Sequence, residues 1–419
     1  MSLIGRREFI RRAAMLILAL PTTGAMAACS RDRQVAAPAA SSHTFGPLPL
    51  REDLLIGPDL PIERGARLRV YQWKDYLAHR VVRSFERSLA EFDVRVEVDS
   101  FLHIDEAVAR LQEPDAHYDV VFPVIDVLPG MVRAGMLRPL NHDYLTNLGN
   151  LWGWFRGDGP FYDPGQRYSV PYTVYSGGLG WRADMVRSED GPDVRADPFA
   201  VFTDPAYRGL VGFQDAYREA LALGLQRVGV PDVSTASDDE LAAAASFLAD
   251  AVRTNDAVFT IDGAVEGLAE GRFAVHEAWS GDVLSGPRYA MREGEDPAEI
   301  AAALRFWSPR GASRIVGLDL MAIGARGRNP VTAHAFVNHL LDLEVAVTNF
   351  AWNGYQVPMT GATPEMFADP AFRWHDCVPP PLREALVSEE EFAAGQMLVG
   401  FSPAQDARWL AQWSRVSPP

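Results

Sequence analysis

The feature that most constrains this chain is a change of hydrophobic period between Arg67 and Val124. Arg67 to Tyr71 reads as a strand, and Val81, Val82, Phe85, Leu89 and Phe92 then fall at helical spacing. Val94, Val96 and Val98 alternate with charged residues, as in a half-buried strand. A short helix is expected over Ile104 to Leu111, and Tyr118 to Val124 returns to strand character. Strand, helix, strand, helix, strand with connections this short predicts a parallel sheet and an α/β lobe. Open sheets of that kind bind ligands at the carboxyl ends of their strands.

The rest of the chain supplies a second set of elements. Tyr168 to Tyr172 reads as a strand approach, and Ser176-Gly177-Gly178-Leu179-Gly180 as a flexible continuation. Helices are expected over Asp215 to Val228 and Asp238 to Val252. The second opens with Ser237 and Glu240 at capping-box spacing, where each side chain satisfies the other's backbone N–H. A short helix from Gly263 to Glu270 stops at Gly271, and Arg272 to Trp279 is strand-like. A strand at Leu318 to Ile323 and a helix at Val331 to Asp342 complete the map. No internal repeat is visible. A chain of 419 residues has room for two lobes of roughly 100–200 residues each.

The first 28 residues read as an address. Gly5-Arg6-Arg7-Glu8-Phe9-Ile10-Arg11 resembles a twin-arginine export signal, and an apolar run from Ala13 to Leu20 follows. Pro21 ends that run well short of the roughly 20 residues that a spanning helix needs. Met26-Ala27-Ala28-Cys29 resembles a lipobox, which implies acylation of Cys29 and a membrane anchor; ordinary cleavage after an A-M-A-like site is the alternative. Residues 29–65, rich in Ala, Ser and Pro, are expected to form a tether, part of which could pack on the domain. Beyond Cys29 only Cys377 remains, so lipidation would leave no intramolecular disulfide to form. The formal net charge is −16, and residues 1–28 carry four arginines and one glutamate, so the remainder stands at −19. Such a chain is a poor nucleic-acid binder and attracts cations.

Catalytic patterns are missing. His276-Glu277 lacks the second histidine of a helical zinc motif, since residue 280 is serine. There is no P-loop and no G-x-S-x-G elbow, and Gly177-Gly178-Leu179-Gly180 lacks the spacing of a dinucleotide fingerprint, reading instead as a hinge or turn. No cofactor or metal is expected. What recurs is an aromatic ring beside a carboxylate just after a strand. Trp73 and Tyr76 flank Asp75, Asp126 follows the third strand, Trp279 precedes Asp282, and Asp319 lies near Gly317. Trp352, Tyr355 and Gln356 crowd a late turn. Carboxylates make charge-assisted hydrogen bonds to ammonium groups, and ring faces bind methylenes and cations. Core packing is the alternative for any one ring; the set together points to a ligand with an apolar stem and cationic ends.

Six stretches, in order, resemble the periplasmic spermidine/putrescine-binding proteins of ABC transporters. They are Tyr71-Gln72-Trp73-Lys74-Asp75-Tyr76, Tyr118-Asp119-Val120-Val121-Phe122-Pro123, Gly135-Met136-Leu137-Arg138-Pro139-Leu140, Tyr168-Ser169-Val170-Pro171-Tyr172, Arg218-Glu219 and Trp279-Ser280-Gly281-Asp282. The resemblance runs from about residue 66 to 360. It implies a two-lobed type II periplasmic-binding-protein-like α/β fold with the ligand cleft between the lobes. The expected lobes are 66–173 with 280–320 and 174–279 with 321–419, the chain crossing near 173, 280 and 320. It also implies a binding protein rather than an enzyme, monomeric, with a polyamine ligand and a membrane permease as partners. Trp73 and Tyr76 would flank the ligand and Trp279 would stack on its methylenes. Asp282, Asp319 and Glu219 would hold ammonium groups, with Tyr355 and Gln356 lining the pocket.

Two departures bear on the ligand. Where the family commonly has serine and tyrosine after the third strand, this chain has Val124 and Asp126. Ala216 replaces the second aspartate of a "DDxRE" helix start, so either one amine-binding carboxylate is missing or Asp126 replaces it from the other lobe. Another cationic amine or an amino-acid derivative in the same fold, and an exported cofactor enzyme, are the competing readings.

Overall fold

The computed structural model describes residues 48–416, apart from 157–160, 187–193, 195, 293 and 295. The twin-arginine stretch and Cys29 lie outside the described residues. Strand β1 (Arg67–Trp73) runs parallel to both β2 (Arg95–Phe101) and β3 (Val120–Val121), with Val70 opposite Val98 on one side and Val120 on the other. The expected third strand thus shrinks to two residues. On the helix His79–Ser88, Val81 and Phe85 are buried, and the Phe85 ring meets Phe336 edge-on at 4.9 Å. Phe336 belongs to the helix Pro330–Leu340, which this contact seats in the first core.

A short β4 (Leu137–Arg138) precedes β5 (Ser169–Arg182), a strand of 14 residues that joins the two halves. The second half is built on β6 (Val211–Gln214), β7 (Val258–Thr260), β8 (Val275–Trp279) and β9 (Leu304–Trp307), and the chain returns through β10 (Val316–Gly324). The strand order is β2-β1-β3-β10-β5-β8-β6-β7, with β4 beside β10 and β9 beside β5. Up to Ser176, β5 pairs with β10; from Gly177 onward it pairs with β8 and β9. The Ser176-to-Gly180 stretch expected to be flexible is therefore ordered sheet, with Leu179 and Gly180 laddered on both sides. β10 runs antiparallel between β3 and β5, which makes the first sheet mixed rather than all-parallel.

The second sheet carries helices on both faces. Val211, Phe213 and Val275 pack with the helices Tyr217–Arg227 and Asp238–Asn255 and with Trp409 of the final helix Pro403–Val416. The capping box of Ser237 and Glu240 forms as expected. A Cβ on Gly224 would lie 2.9 Å from Ala244, so glycine is what lets those first two helices approach closely. Ala278, Leu304 and Phe306 point to the opposite face, where they join Val283 and Leu284 of the helix Ser280–Arg292 in a core continuous with the first.

These ladders redraw the expected lobes. β9 lies within 280–320 yet pairs with the second half of β5, and 321–324 pairs in the first sheet, with Ile323 opposite Val120. Of the segment 321–419, only the last part, ending in the helix Pro403–Val416, joins the second core. Local period predicts a strand but not its partner, so crossing strands are assigned only once paired. The tether is also shorter than expected. Pro49 O accepts from Tyr168 Oη at 2.6 Å, and Glu63 caps the helix Pro330–Leu340 by accepting from Val331 N at 2.9 Å and Thr332 N at 2.8 Å.

Candidate functional site

The turn after β1 is held by its backbone. Asp75 takes a left-handed conformation at φ 62°, which aspartate tolerates better than most residues. Tyr76 O accepts from Tyr172 Oη at 2.8 Å, Asn349 Nδ2 at 2.9 Å and Asn353 Nδ2 at 3.2 Å. With its backbone pinned, Tyr76 sends its buried ring towards β10, where the hydroxyl donates to Asp319 Oδ2. Trp73 goes elsewhere. Its ring packs on Phe101 at 4.7 Å, and its buried indole N–H has no hydrogen-bond partner among the described residues.

Asp319 owes its aim to an irregularity. The β5–β10 register shifts between Asp319, opposite Thr173, and Leu320, opposite Pro171. Proline has no N–H for a ladder, so a bulge at the neighbouring Tyr172 lets Pro171 sit in a central strand, and bulges re-aim side chains. Asp319, 3% exposed, receives Tyr76 Oη, Thr173 Oγ1 at 3.2 Å and Tyr175 Oη at 3.3 Å. Asp282, 7% exposed, sits where β8 passes into the helix Ser280–Arg292. It receives Tyr355 Oη at 2.6 Å, Gln214 Nε2 at 3.2 Å and its own turn's Trp279 N at 3.2 Å.

The rings lie around these two carboxyls. Tyr175 meets Trp279 at 4.7 Å and Tyr355 at 5.5 Å, both edge-on, and Tyr76 meets Tyr355 at 5.3 Å. Among the described residues neither Asp282 nor Asp319 has an arginine, lysine or histidine ion-pair partner. Burial pushes each carboxyl up to about 6, offset in part by the hydrogen bonds it accepts. Burial, and then the neighbouring carboxylate, raise the hydroxyls of Tyr76, Tyr175 and Tyr355 well above the usual tyrosine range, so all three remain donors.

Beside Trp279 a small recess, partly open to solvent, is lined by Gln214, Glu219, Gln226 and Glu277 over an apolar floor. Glu219 lies on the first turn of the helix Tyr217–Arg227, and burial raises its carboxyl. Glu277, 5% exposed, accepts from Gln214 N at 3.1 Å, and burial holds it well above the carboxylate range. Gln214 therefore touches both Glu277 and Asp282.

Besides Trp73, two further expected residues are committed elsewhere. Asp126 pairs with Arg218 and accepts from Gly400 N at 3.3 Å, and Arg218 also reaches Asp406 at 2.9 Å. Burial raises Asp126, and the guanidinium partly offsets that. The structure thus spends this carboxylate on a protein cation. Gln356 exchanges both side-chain hydrogen bonds with the backbone of Val387, at 2.8 and 2.9 Å. Tyr76, Trp279, Asp282, Asp319 and Tyr355 come together, with Glu219 in the adjoining recess. Tyr175, Thr173, Gln214 and Glu277 are additions that the sequence pattern did not single out. The available signal was a large residue, Tyr175, set opposite a small one, Gly317, and it needs the β5–β10 register to be seen.

Residues 81–373 match the family described as bacterial extracellular solute-binding protein. A putrescine/agmatine-binding protein of Pseudomonas aeruginosa is 27% identical over 293 residues, covering 69% of this chain and 77% of its own. A putrescine-binding periplasmic protein of Escherichia coli is 26% identical over 283 residues, covering 66% and 74%. Among solved structures, a spermidine/putrescine ABC transporter substrate-binding protein of Streptococcus pneumoniae superposes with a TM-score of 0.64 at 19% identity, covering 84% of this chain and 98% of that one. A lipoprotein of Treponema pallidum gives 0.63 at 22% identity, covering 84% and 99%. The structural likenesses carry the two-lobed fold.

Proposed function

Because the chain belongs to the family of bacterial extracellular solute-binding proteins, we propose that it captures a putrescine- or spermidine-like amine between its lobes and presents it to an ABC transporter permease. The observation that carries this reading is the pair Asp282 and Asp319, two buried carboxyls held by hydroxyls and amides instead of cations. A buried carboxylate without a counter-ion is costly, and an ammonium group relieves that cost with charge-assisted hydrogen bonds. Trp279, Tyr76 and Tyr355 supply ring surface for the methylenes, and Glu219 offers a further carboxylate in the adjoining recess.

Asp319 and Thr173 sit on the strands that join the halves, while Asp282 and Gln214 belong to the second half. A ligand that bridges them favours the closed arrangement, and closure by population shift is the signal a permease reads. The names of the relatives in Pseudomonas aeruginosa and Escherichia coli support an amine over other solutes. Export by the twin-arginine route, acylation of Cys29 and a tether that follows it complete the proposal. Such an anchor raises the local concentration of the binder beside its permease. Among the described residues no helix is long and apolar enough to cross a membrane.

Titration calorimetry with putrescine, cadaverine, spermidine and spermine, beside a neutral amide, tests the reading. Micromolar or tighter binding of at least one amine, with none of the amide, is expected. Failure of all four amines would remove the ligand class and leave the fold.

A further inference from the structure

We propose that Tyr175 gauges the length of the amine, favouring a four- or five-carbon diamine over a longer polyamine. The inference rests on the amine reading above and deepens it. Tyr175 stands opposite Gly317 in the antiparallel β5–β10 ladder, two residues along from the pair Thr173 and Asp319. That spacing puts Tyr175 and Thr173 on one face of the sheet, because side chains alternate with period two. A Cβ on Gly317 would lie 2.3 Å from Cε2 of the Tyr175 ring, so the ring occupies the space that a side chain at 317 would fill.

From that seat Tyr175 reaches both halves of the site. Its hydroxyl donates to Asp319 Oδ1 at 3.3 Å, and its ring meets Trp279 and Tyr355 edge-on. Tyr355 in turn donates to Asp282. The ring therefore stands along the line that any ligand joining Asp319 to Asp282 must follow. A chain of four or five methylenes can lie against its edge. A longer amine with a third ammonium needs volume that the ring takes up, and excluded volume is a direct way to reject it. Carried on a central strand with its ring seated against backbone, Tyr175 is held rigidly enough to gauge length.

The test is the ratio of putrescine to spermidine affinity, by calorimetry on the purified protein, for wild type, Tyr175→Phe, Tyr175→Ala and Gly317→Ala. Phenylalanine keeps the ring and should hold the ratio within about threefold of wild type, while alanine should move it towards spermidine by at least about tenfold, the scale at which pockets separate ligands by size. Gly317→Ala pushes the ring off residue 317 and further into the ligand's path, so it should shift the ratio the other way, towards putrescine. It decides the matter should Tyr175→Ala fail to fold, as checked by thermal melting. An unchanged ratio in both alanine variants, with both amines still bound, overturns the gauge alone. Absence of amine binding by the wild type overturns the amine reading and the gauge with it.

Discussion

Two places in this molecule carry buried or half-buried carboxylates between its halves, and they are built on opposite plans. At the flank, Asp126 and Asp406 share Arg218, whose guanidinium also lies 4.7 Å from the centre of the Phe401 ring. At the centre, the partners of Asp282 and Asp319 among the described residues are hydroxyls, an amide and a backbone N–H. The flank is charge-complete within the protein and serves to fasten it. The centre lacks a positive charge and is costly until one arrives. Residue type alone does not distinguish a fastening carboxylate from a binding one; what sits opposite does.

The largest effect should come from neutralising the centre. Asp282→Asn or Asp319→Asn is expected to cost roughly 2–5 kcal/mol of amine binding, the range for removing one partner of a desolvated charge pair. The same changes should leave the ligand-free protein as stable as wild type, or more stable by up to about 2 kcal/mol, because a carboxyl without a counter-ion is relieved. Calorimetry and chemical denaturation read the two sides, and loss of stability together with binding would place these carboxyls in the fastening class.

The flank should answer in reverse. Arg218→Met leaves Asp126 and Asp406 facing each other unpaired and should cost about 1–3 kcal/mol of stability, discounted for partial exposure. Asp126→Asn should change amine affinity by less than about threefold, since its carboxylate is already committed to Arg218. A tenfold loss would return Asp126 to the ligand, as the sequence alone suggests, and would blur the contrast between the two regions.

The centre should also titrate. Asp282 and Asp319 are both raised from 3.8 to about 6. A raised carboxyl favours the folded ligand-free protein when protonated, so that stabilisation is complete below about pH 4 and disappears as pH rises through 6. Amine binding has the opposite sign, because each ammonium needs the ionised form. Affinity should fall by roughly a hundredfold between pH 7 and pH 5 while the melting temperature of the ligand-free protein gains from these two groups. A flat affinity over that range would mean that neither carboxyl holds the ligand's charge.

The smallest effect belongs to Lys74, the only lysine in the chain, whose Nζ stands 4.0 Å from Glu266 with side chains 58% and 25% exposed. An exposed pair of this kind contributes little, so Lys74→Gln should shift affinity and stability by less than about 1 kcal/mol. A larger shift would make it a third kind of contact between the halves.

The sequence reached the centre of the site through local signals. Trp279-Ser280-Gly281-Asp282 follows a strand, Tyr76 follows β1, and Tyr355 lies in a late turn, so each shows itself as a ring or carboxyl where open sheets bind. Tyr175, Thr173 and Gln214 were invisible for a physical reason. Their roles arise from pairing and packing across long separations, 146 residues between Thr173 and Asp319 and 68 between Gln214 and Asp282. The same reason explains Asp126, whose cation lies 92 residues away, and Gln356, whose partner is the backbone of a segment 31 residues on. Strand period foretold β1, β2 and the helix between them, but the antiparallel entry of β10 depends on which edge a returning strand finds.

The central claim is that an amine lies between Asp282 and Asp319. A crystal structure of the protein with putrescine tests it most directly. The account predicts one ligand nitrogen within hydrogen-bond distance of each carboxyl, with Tyr76 and Tyr355 moved off or sharing them and Arg218 still on Asp126. Putrescine bound to Asp126 with Arg218 displaced, or held away from both central carboxyls, would contradict it.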